Sequence, residues 1–333
     1  MPVTFDIVHT THYRYHQPVE LGLHRVMFRP RGSHDLHVLA TDLQVTPAPL
    51  SIRMIMDVYS NSIALLEPQS PADELKIVST FTVESSDTPV LELPLDPQAE
   101  HYPFSYADED RIALPHYLAP YYDDPGGELE AWARQFVLSD GPTGTRDLLL
   151  AMTQSIRDAI QYVVRLDEGV QTPLDTLRLK SGSCRDLATL MIEAVRRLGY
   201  AARFVSGYLY APWRDRADPG LVGAGATHAW LQVYLPGPGW IAFDPTNNLI
   251  GGRELIRVGV ARHASLAPPR VVAQNMAAIG VVQISLRQTV AVTANIFNPT
   301  ADKLLWQPHA WRGKVWLATK YLRSHSLTRR VET

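Results

Sequence analysis

Hydrophobic spacing changes along this chain from a period of two before Ser85 to helical spacing after about Gly127, and that switch bounds the fold. In the stretch 52–58 every even position is apolar (Ile52, Met54, Met56, Val58), and two odd ones, Arg53 and Asp57, are charged. Leu75, Ile77, Phe81 and Val83 repeat the alternation, with Lys76, Thr80 and Thr82 between them. Such alternation predicts strands with one buried face. Turn-forming runs separate them: Pro47-Ala48-Pro49, Ser60-Asn61-Ser62 and Pro68 to Pro71. Several short strands at this spacing predict a β-sandwich or small barrel over residues 1–85.

Residues 86–127 differ in character. Pro89, Pro94, Pro97, Pro103, Pro115, Pro120 and Pro125 break helices and central strands. The aromatics among them, Tyr102, Phe104, Tyr106, Tyr117, Tyr121 and Tyr122, suit a linker packed over a surface. Beyond it, Leu129, Trp132, Ala133, Phe136 and Val137 recur at helical spacing, and 148–163 continues the pattern. A third helix is predicted from Cys184 to Leu198, its stripe formed by Leu187, Leu190, Met191, Ala194, Val195 and Leu198. Ser183 and Asp186 have the spacing of a capping box, and Gly199 stands where a left-handed residue ends a helix. The segments 202–210, 227–235 and 240–243 read as strands.

The chain of 333 residues has room for about two domains. With 46% hydrophobic and 20% charged residues it can bury a core, which excludes global disorder. A net charge of −3 gives no reason to expect nucleic acid or an anionic membrane as partner. One cysteine cannot form an internal disulfide and fits a reducing compartment. The N-terminus lacks a signal-peptide pattern, and the longest nearly apolar stretch, 276–282, falls far short of the ~18 residues of a spanning helix. The expectation is a soluble, cytoplasmic protein. Scattered histidines with one cysteine give no zinc spacing, and no EF-hand loop is present, so no metal or cofactor is expected.

The single cysteine lies in Ser181-Gly182-Ser183-Cys184-Arg185-Asp186. On the helix reading Cys184 is at N1, where unpaired N–H groups and the helix dipole favour a thiolate and can receive an oxyanion. A lone cysteine is more often a small buried hydrophobe. Two later motifs shift that balance. Thr227-His228-Ala229-Trp230 opens one strand, and Phe243-Asp244-Pro245-Thr246-Asn247 closes the next. A cysteine nucleophile needs a base, and the base needs an acceptor that fixes its tautomer. Individually, His228 reads as one of twelve histidines and Asp244 as a turn former before proline.

Hairpin register tests whether the two can meet. A four-residue loop, 236–239, would pair Leu235 with Trp240 and send His228 and Asp244 to opposite faces. A five-residue loop, 235–239, pairs Tyr234 with Trp240, and His228 becomes a same-face diagonal neighbour of Asp244, about 7–8 Å away at Cα. The constellation requires the second register or a bulge.

The run 172–210, TPLDTLRLKSGSCRDLATLMIEAVRRLGYAARFVSGYLY, together with 227–248, THAWLQVYLPGPGWIAFDPTNN, resembles the core of the bacterial transglutaminase-like superfamily. The start is similar to that family's N-terminal β-domain, notably HTTHYRYHQPVELGLHRVMFRPR, LQVTPAP and DVYSNSIALLEP. The resemblance covers roughly residues 3–297. It implies an α+β, papain-like core at 128–298, with the cysteine's helix packed on an antiparallel sheet. It also implies nucleophile Cys184, base His228 and orienting Asp244. Trp230, two residues beyond His228, is a candidate wall of the site, with core packing as its alternative. Tyr162, which ends the preceding helix, is a candidate cleft residue. Asp186 serves the helix end.

The implied chemistry is attack of the Cys184 thiolate on an amide, giving a thioester. An amine acceptor then makes the reaction a transamidation, while water makes it peptide or amide hydrolysis, and the fold chooses neither. The competing reading is a non-enzymatic binding or scaffolding module. A functional link to ATP-grasp ligase-like proteins is implied by the resemblance alone. Residues 299–333 depart from the family pattern, with Trp306, Trp311, Trp316 and seven Lys or Arg against two acids.

Overall fold

The alternating N-terminal segment forms six strands: β1 (Val3–Val19), β2 (His24–Val26), β3 (Leu36–Thr46), β4 (Ser51–Met56), β5 (Ser62–Glu67) and β6 (Ala72–Ser85). The computed structural model describes residues 2–86, 90–165, 169–210 and 227–267, with the backbone of two further strands, β16 (Ile279–Thr289) and β17 (Val331–Glu332). One sheet has the order β17-β16-β1-β6-β3 and a second the order β2-β5-β4. In β1 the side chains of Val3, Phe5, Ile7, His9 and Thr11 are buried at every second position, as the period of two requires. The two sheets enclose Val26, Phe28, Leu66, Leu75 and Ile77.

Two expectations fail in this region. All six residues of β4 are exposed, although their alternation predicts one buried face. The reason is cover: no described element packs over β4, whereas β2, at the other edge of the same sheet, is buried at His24 and Val26. Strand β16, which lies within the 128–298 core that the family resemblance implies, pairs antiparallel with β1 instead, Thr4 opposite Thr289 and Arg14 opposite Ile279. The chain returns to complete the first sheet. Residues 290–294 and most of the 299–333 extension lie outside the described residues; Val331 and Glu332 pair with Val282 and Val281.

The 86–127 segment contains two short helices, α1 (Asp108–Ala113) and α2 (Pro115–Leu118). Pro115 begins α2 rather than breaking it, because its missing N–H is an orphan at N1. The expected packing is present. Tyr106 and Tyr117 are buried; the Tyr106 hydroxyl donates to the Tyr234 carbonyl at 2.9 Å and accepts the Ala201 N–H at 2.9 Å. The ladder of β7 (His101–Tyr102) on β8 (Thr143–Gly144) ties the segment to the helical region of the chain.

That region contains α3 (Glu128–Arg134), α4 (Thr145–Ala159), β9 (Gln161–Tyr162), α5 (Pro173–Leu179), β10 (Ser181–Gly182) and α6 (Cys184–Arg197). Strands β11 (Ala202–Leu209), β12 (Thr227–Leu235), β13 (Gly239–Asp244), β14 (Leu249–Ile250) and β15 (Leu255–Ala261) form an antiparallel sheet of order β14-β13-β12-β11-β15. The fold is α+β. Helix α6 packs on this sheet and is ringed by α3, α4 and α5, with Leu187, Leu190, Met191, Ala194 and Val195 in one apolar cluster with Leu231 and Val233. Burial of each such large side chain is worth about 1.5–3 kcal/mol.

The helix is enclosed more fully than its stripe predicts, since Glu193 and Arg196 are buried as well. They survive burial because they are paired at 2.8 Å and fully engaged. Glu193 accepts the N–H groups of Tyr121 and Tyr122, while Arg196 donates to the carbonyls of Tyr117, Ala202 and Arg262. Gly199, at φ 86°, supplies the left-handed end of α6. The N-terminal sheet meets the core sheet through Phe5, Ile7, Phe81 and Val83 against Tyr208, Ile256 and Val258.

Candidate active site

Ser183 caps α6, so Cys184 occupies N1. The Asp186 carboxylate reaches back to accept the Ser183 N–H at 2.8 Å and the Ser183 hydroxyl at 2.8 Å, which fixes the turn that presents the cysteine. β9 lies parallel to β10, with Tyr162 opposite Gly182, and holds this turn from the other side. Gly182 is required there, since a Cβ would stand 2.9 Å from the Asp186 Cβ and 3.1 Å from a Leu187 methyl.

The β12–β13 hairpin pairs Tyr234 with Trp240 and Leu231 with Phe243. This is the register the constellation requires. It is reached by a tight turn at 236–238, with Leu235 opposite Gly239. His228 and Asp244 therefore meet: His228 Nε2 lies 2.8 Å from Asp244 Oδ2, and both side chains are fully buried. A carboxylate only accepts, so Nε2 carries the proton and Nδ1 is left as the basic nitrogen. Nδ1 is buried without a conventional hydrogen-bond partner, and the Cys184 thiol lies beside the ring.

Burial disfavours protonation of His228, but the charge and hydrogen bond of Asp244, followed by those of Cys184, push its pKa up to about 10. Asp244 is itself held by the Thr246 N–H at 3.0 Å and the Asn247 amide at 2.8 Å. His228 and Asp244 are thus bonded in the core, and Cys184, at the N-terminus of α6, is near enough to raise the pKa of that histidine.

The remaining candidates stand differently. Trp230 is buried and stacks on His228, ring centroids 6.0 Å apart at 26°. It also packs among Val205, Leu209, Leu255 and Val260, so it backs the histidine from the core. Tyr162 lies in β9, beyond the end of α4 at Ala159, half-buried against the core cluster. Sequence reasoning missed Arg165, Gln171 and Asn247. Arg165 donates to both Asp186 oxygens at 3.0 and 3.1 Å, and the Gln171 N–H donates to Asp186 at 2.7 Å. Asn247 was readable in the Asp-Pro-Thr-Asn turn, whose last side chain can fold back on the first. Arg165 and Gln171 carried no local signal. Among the described residues no three His, Cys, Asp or Glu side chains converge as metal ligands.

Two family models match the chain: bacterial transglutaminase-like N-terminal region over residues 5–84 and transglutaminase-like superfamily over residues 130–245. The uncharacterized protein ML0607 of Mycobacterium leprae is 28% identical over 268 residues, covering 79% of this chain and 90% of its own. The uncharacterized protein Rv2569c of Mycobacterium tuberculosis is 28% identical over 293 residues, covering 80% and 85%. A protein-glutamine gamma-glutamyltransferase of Pseudomonas aeruginosa is 34% identical over 67 residues, 20% of this chain and 10% of that one. Among solved structures, "a Putative Cysteine Protease from Cytophaga hutchinsonii" superposes with a TM-score of 0.64 at 20% identity, covering 91% of this chain and 95% of its own. That superposition establishes a shared fold.

Proposed function

The chain belongs to the transglutaminase-like superfamily, and from that premise we propose that it performs cysteine-dependent acyl chemistry on an amide through a Cys184–His228–Asp244 triad. The observation that carries this reading is the 2.8 Å bond from His228 Nε2 to Asp244, which leaves Nδ1 as the free basic nitrogen of a ring close enough to feel Cys184 at the head of α6. His228 takes the Cys184 proton, and the thiolate attacks the amide carbonyl carbon. The resulting oxyanion is met by N–H groups of the first turn of α6. The C–N bond breaks as the imidazolium passes its proton to the leaving amine or ammonia, and a thioester remains. Water or an amine then attacks that thioester, His228 accepts its proton, and the C–S bond breaks.

Transamidation and hydrolysis share every residue of this sequence and differ only in the second acceptor. The substrate is therefore assigned by class, a peptide or other carboxamide. The test is the iodoacetamide alkylation rate of Cys184 between pH 4 and 10, in the wild type and in His228→Ala. A fast rate that persists below pH 7 and disappears in the variant is expected. A single rise near pH ~8.5, unchanged by the substitution, would leave an ordinary thiol and favour a non-enzymatic module. With a glutamine-containing peptide, amine incorporation and ammonia release then separate transfer from hydrolysis.

A further inference from the structure

Asp186 is a buried anion two residues from the nucleophile, in the same helical turn. A second negative charge forming at Cys184 would be opposed by it. The compensating cation comes from the segment just before. Arg165, side chain 19% exposed, bridges both Asp186 oxygens, and the Gln171 N–H takes one of them too. The Gln171 amide in turn donates to the Ser181 carbonyl at 2.9 Å, on the strand that leads into Cys184. One carboxylate therefore joins the segment after β9, the Ser183 cap and the start of α6.

We propose that Arg165 and Asp186 act as a charge-balanced clamp, positioning residues that fix the Cys184 turn and set how readily its thiol ionises. This rests on the cysteine chemistry proposed above. Asp186 supplies the geometry, because only an acceptor with several free lone pairs can hold Ser183, Gln171 and Arg165 together. Arg165 cancels the electrostatic cost of that geometry, leaving the helix terminus and His228 to favour the thiolate. Among the described residues, the charged and titratable groups on the elements around the cysteine are Arg185 and Asp186 on its own helix, Arg165 from the preceding segment, Tyr162 on β9, and His228 and Asp244 from the sheet, with Tyr122 of the 86–127 segment on the far side of Asp186 and Glu193. Of these, Arg165 is the cation bonded to Asp186.

The test is a four-way comparison of the pH midpoint of Cys184 alkylation in the full chain: wild type, Arg165→Gln, Asp186→Asn and the double variant. Arg165→Gln leaves the anion uncompensated and should raise the midpoint by about one pH unit, the low end of what a close charge does. Asp186→Asn removes the anion and should lower it by a similar amount. The double variant should return near wild type, since the two charges cancel. A purely structural clamp would lower the folded fraction in each single variant without shifting the midpoint in opposite directions. If Asp186→Asn does not fold, Arg165→Lys decides: it should restore the midpoint that Arg165→Gln displaces. Midpoints that stay put, or move the same way in both single variants, overturn the proposal. His228→Ala, run alongside, separates the two claims. Its indifference would remove the catalytic reading while opposite shifts in the clamp variants would still stand.

Discussion

Asp244→Asn gives the strictest check on the electrostatics of the site. His228 is fully buried, and burial alone would lower its proton affinity, yet Asp244 and then Cys184 push its pKa from 6.5 up to about 10. At about 1.4 kcal/mol for each tenfold change in proton affinity, the displacement is worth on the order of 5 kcal/mol of folding stability. A folded-state value above the unfolded one contributes fully below pH 6.5, and the contribution is lost as pH rises toward 10. Because the thiolate proposed at Cys184 gives up a proton that the unfolded thiol keeps, the two effects offset one another up to about pH 8.5, and wild-type stability should fall with rising pH chiefly between there and about 9.5, by about 1.4 kcal/mol per unit from His228. In Asp244→Asn the anion is gone and desolvation prevails, so the histidine is held neutral. Its profile should lack the alkaline slope that His228 gives the wild type and should fall on acidification. Urea unfolding followed by far-UV circular dichroism at half-unit steps, under reducing conditions, reads both curves. Buried tyrosines with raised pKa values add an alkaline slope of their own, common to both proteins, so the difference between the two curves isolates the histidine. A variant that keeps the alkaline slope of the wild type would refute the assignment of that slope to the His228–Asp244 pair.

Two further predictions concern the frame that positions the site. Glu193→Gln leaves Arg196 buried without its anion and should cost about 3 kcal/mol in urea unfolding; a loss below 1 kcal/mol would mean that the backbone carbonyls around Arg196 suffice. Gly207 lies opposite His228 on the neighbouring strand, and an added Cβ would meet the Ile256 carbonyl and the Trp230 ring. Gly207→Ala should therefore destabilise the protein by about 2 kcal/mol and slow Cys184 alkylation, whereas an unchanged melting temperature and rate would show that the sheet yields freely there.

Features whose physics is local were legible in the sequence. The period of two gave β4 and β6, the Ser183–Asp186 spacing and Gly199 bounded α6, and Pro236 to Gly239 marked the β12–β13 turn. Which of two hairpin registers closes that turn was open, and it decides whether His228 meets Asp244. The tertiary structure selects the register in which Tyr234 faces Trp240, because only there do Leu231, Val233 and Ile241 all turn into the cluster around α6.

Other features had no sequence signal because their cause is a distant partner. β4 carries the same alternation as β6, but Leu75 and Ile77 of β6 pack against the second sheet while β4 is left uncovered, so only neighbours in space decide which is buried. Strand β16 is assigned by the free edge of β1, more than 260 residues earlier. Arg165 is one arginine among many until Asp186 is seen buried with its oxygens toward it. The sequence by itself determined which residues are candidates for the chemistry and the element each one sits on, since helix position, turn chemistry and strand period act within a few residues. Only the tertiary structure decided the strand register, the buried ion pairs and the sheet edges, because burial and charge compensation are set by groups that the chain brings together only when it folds.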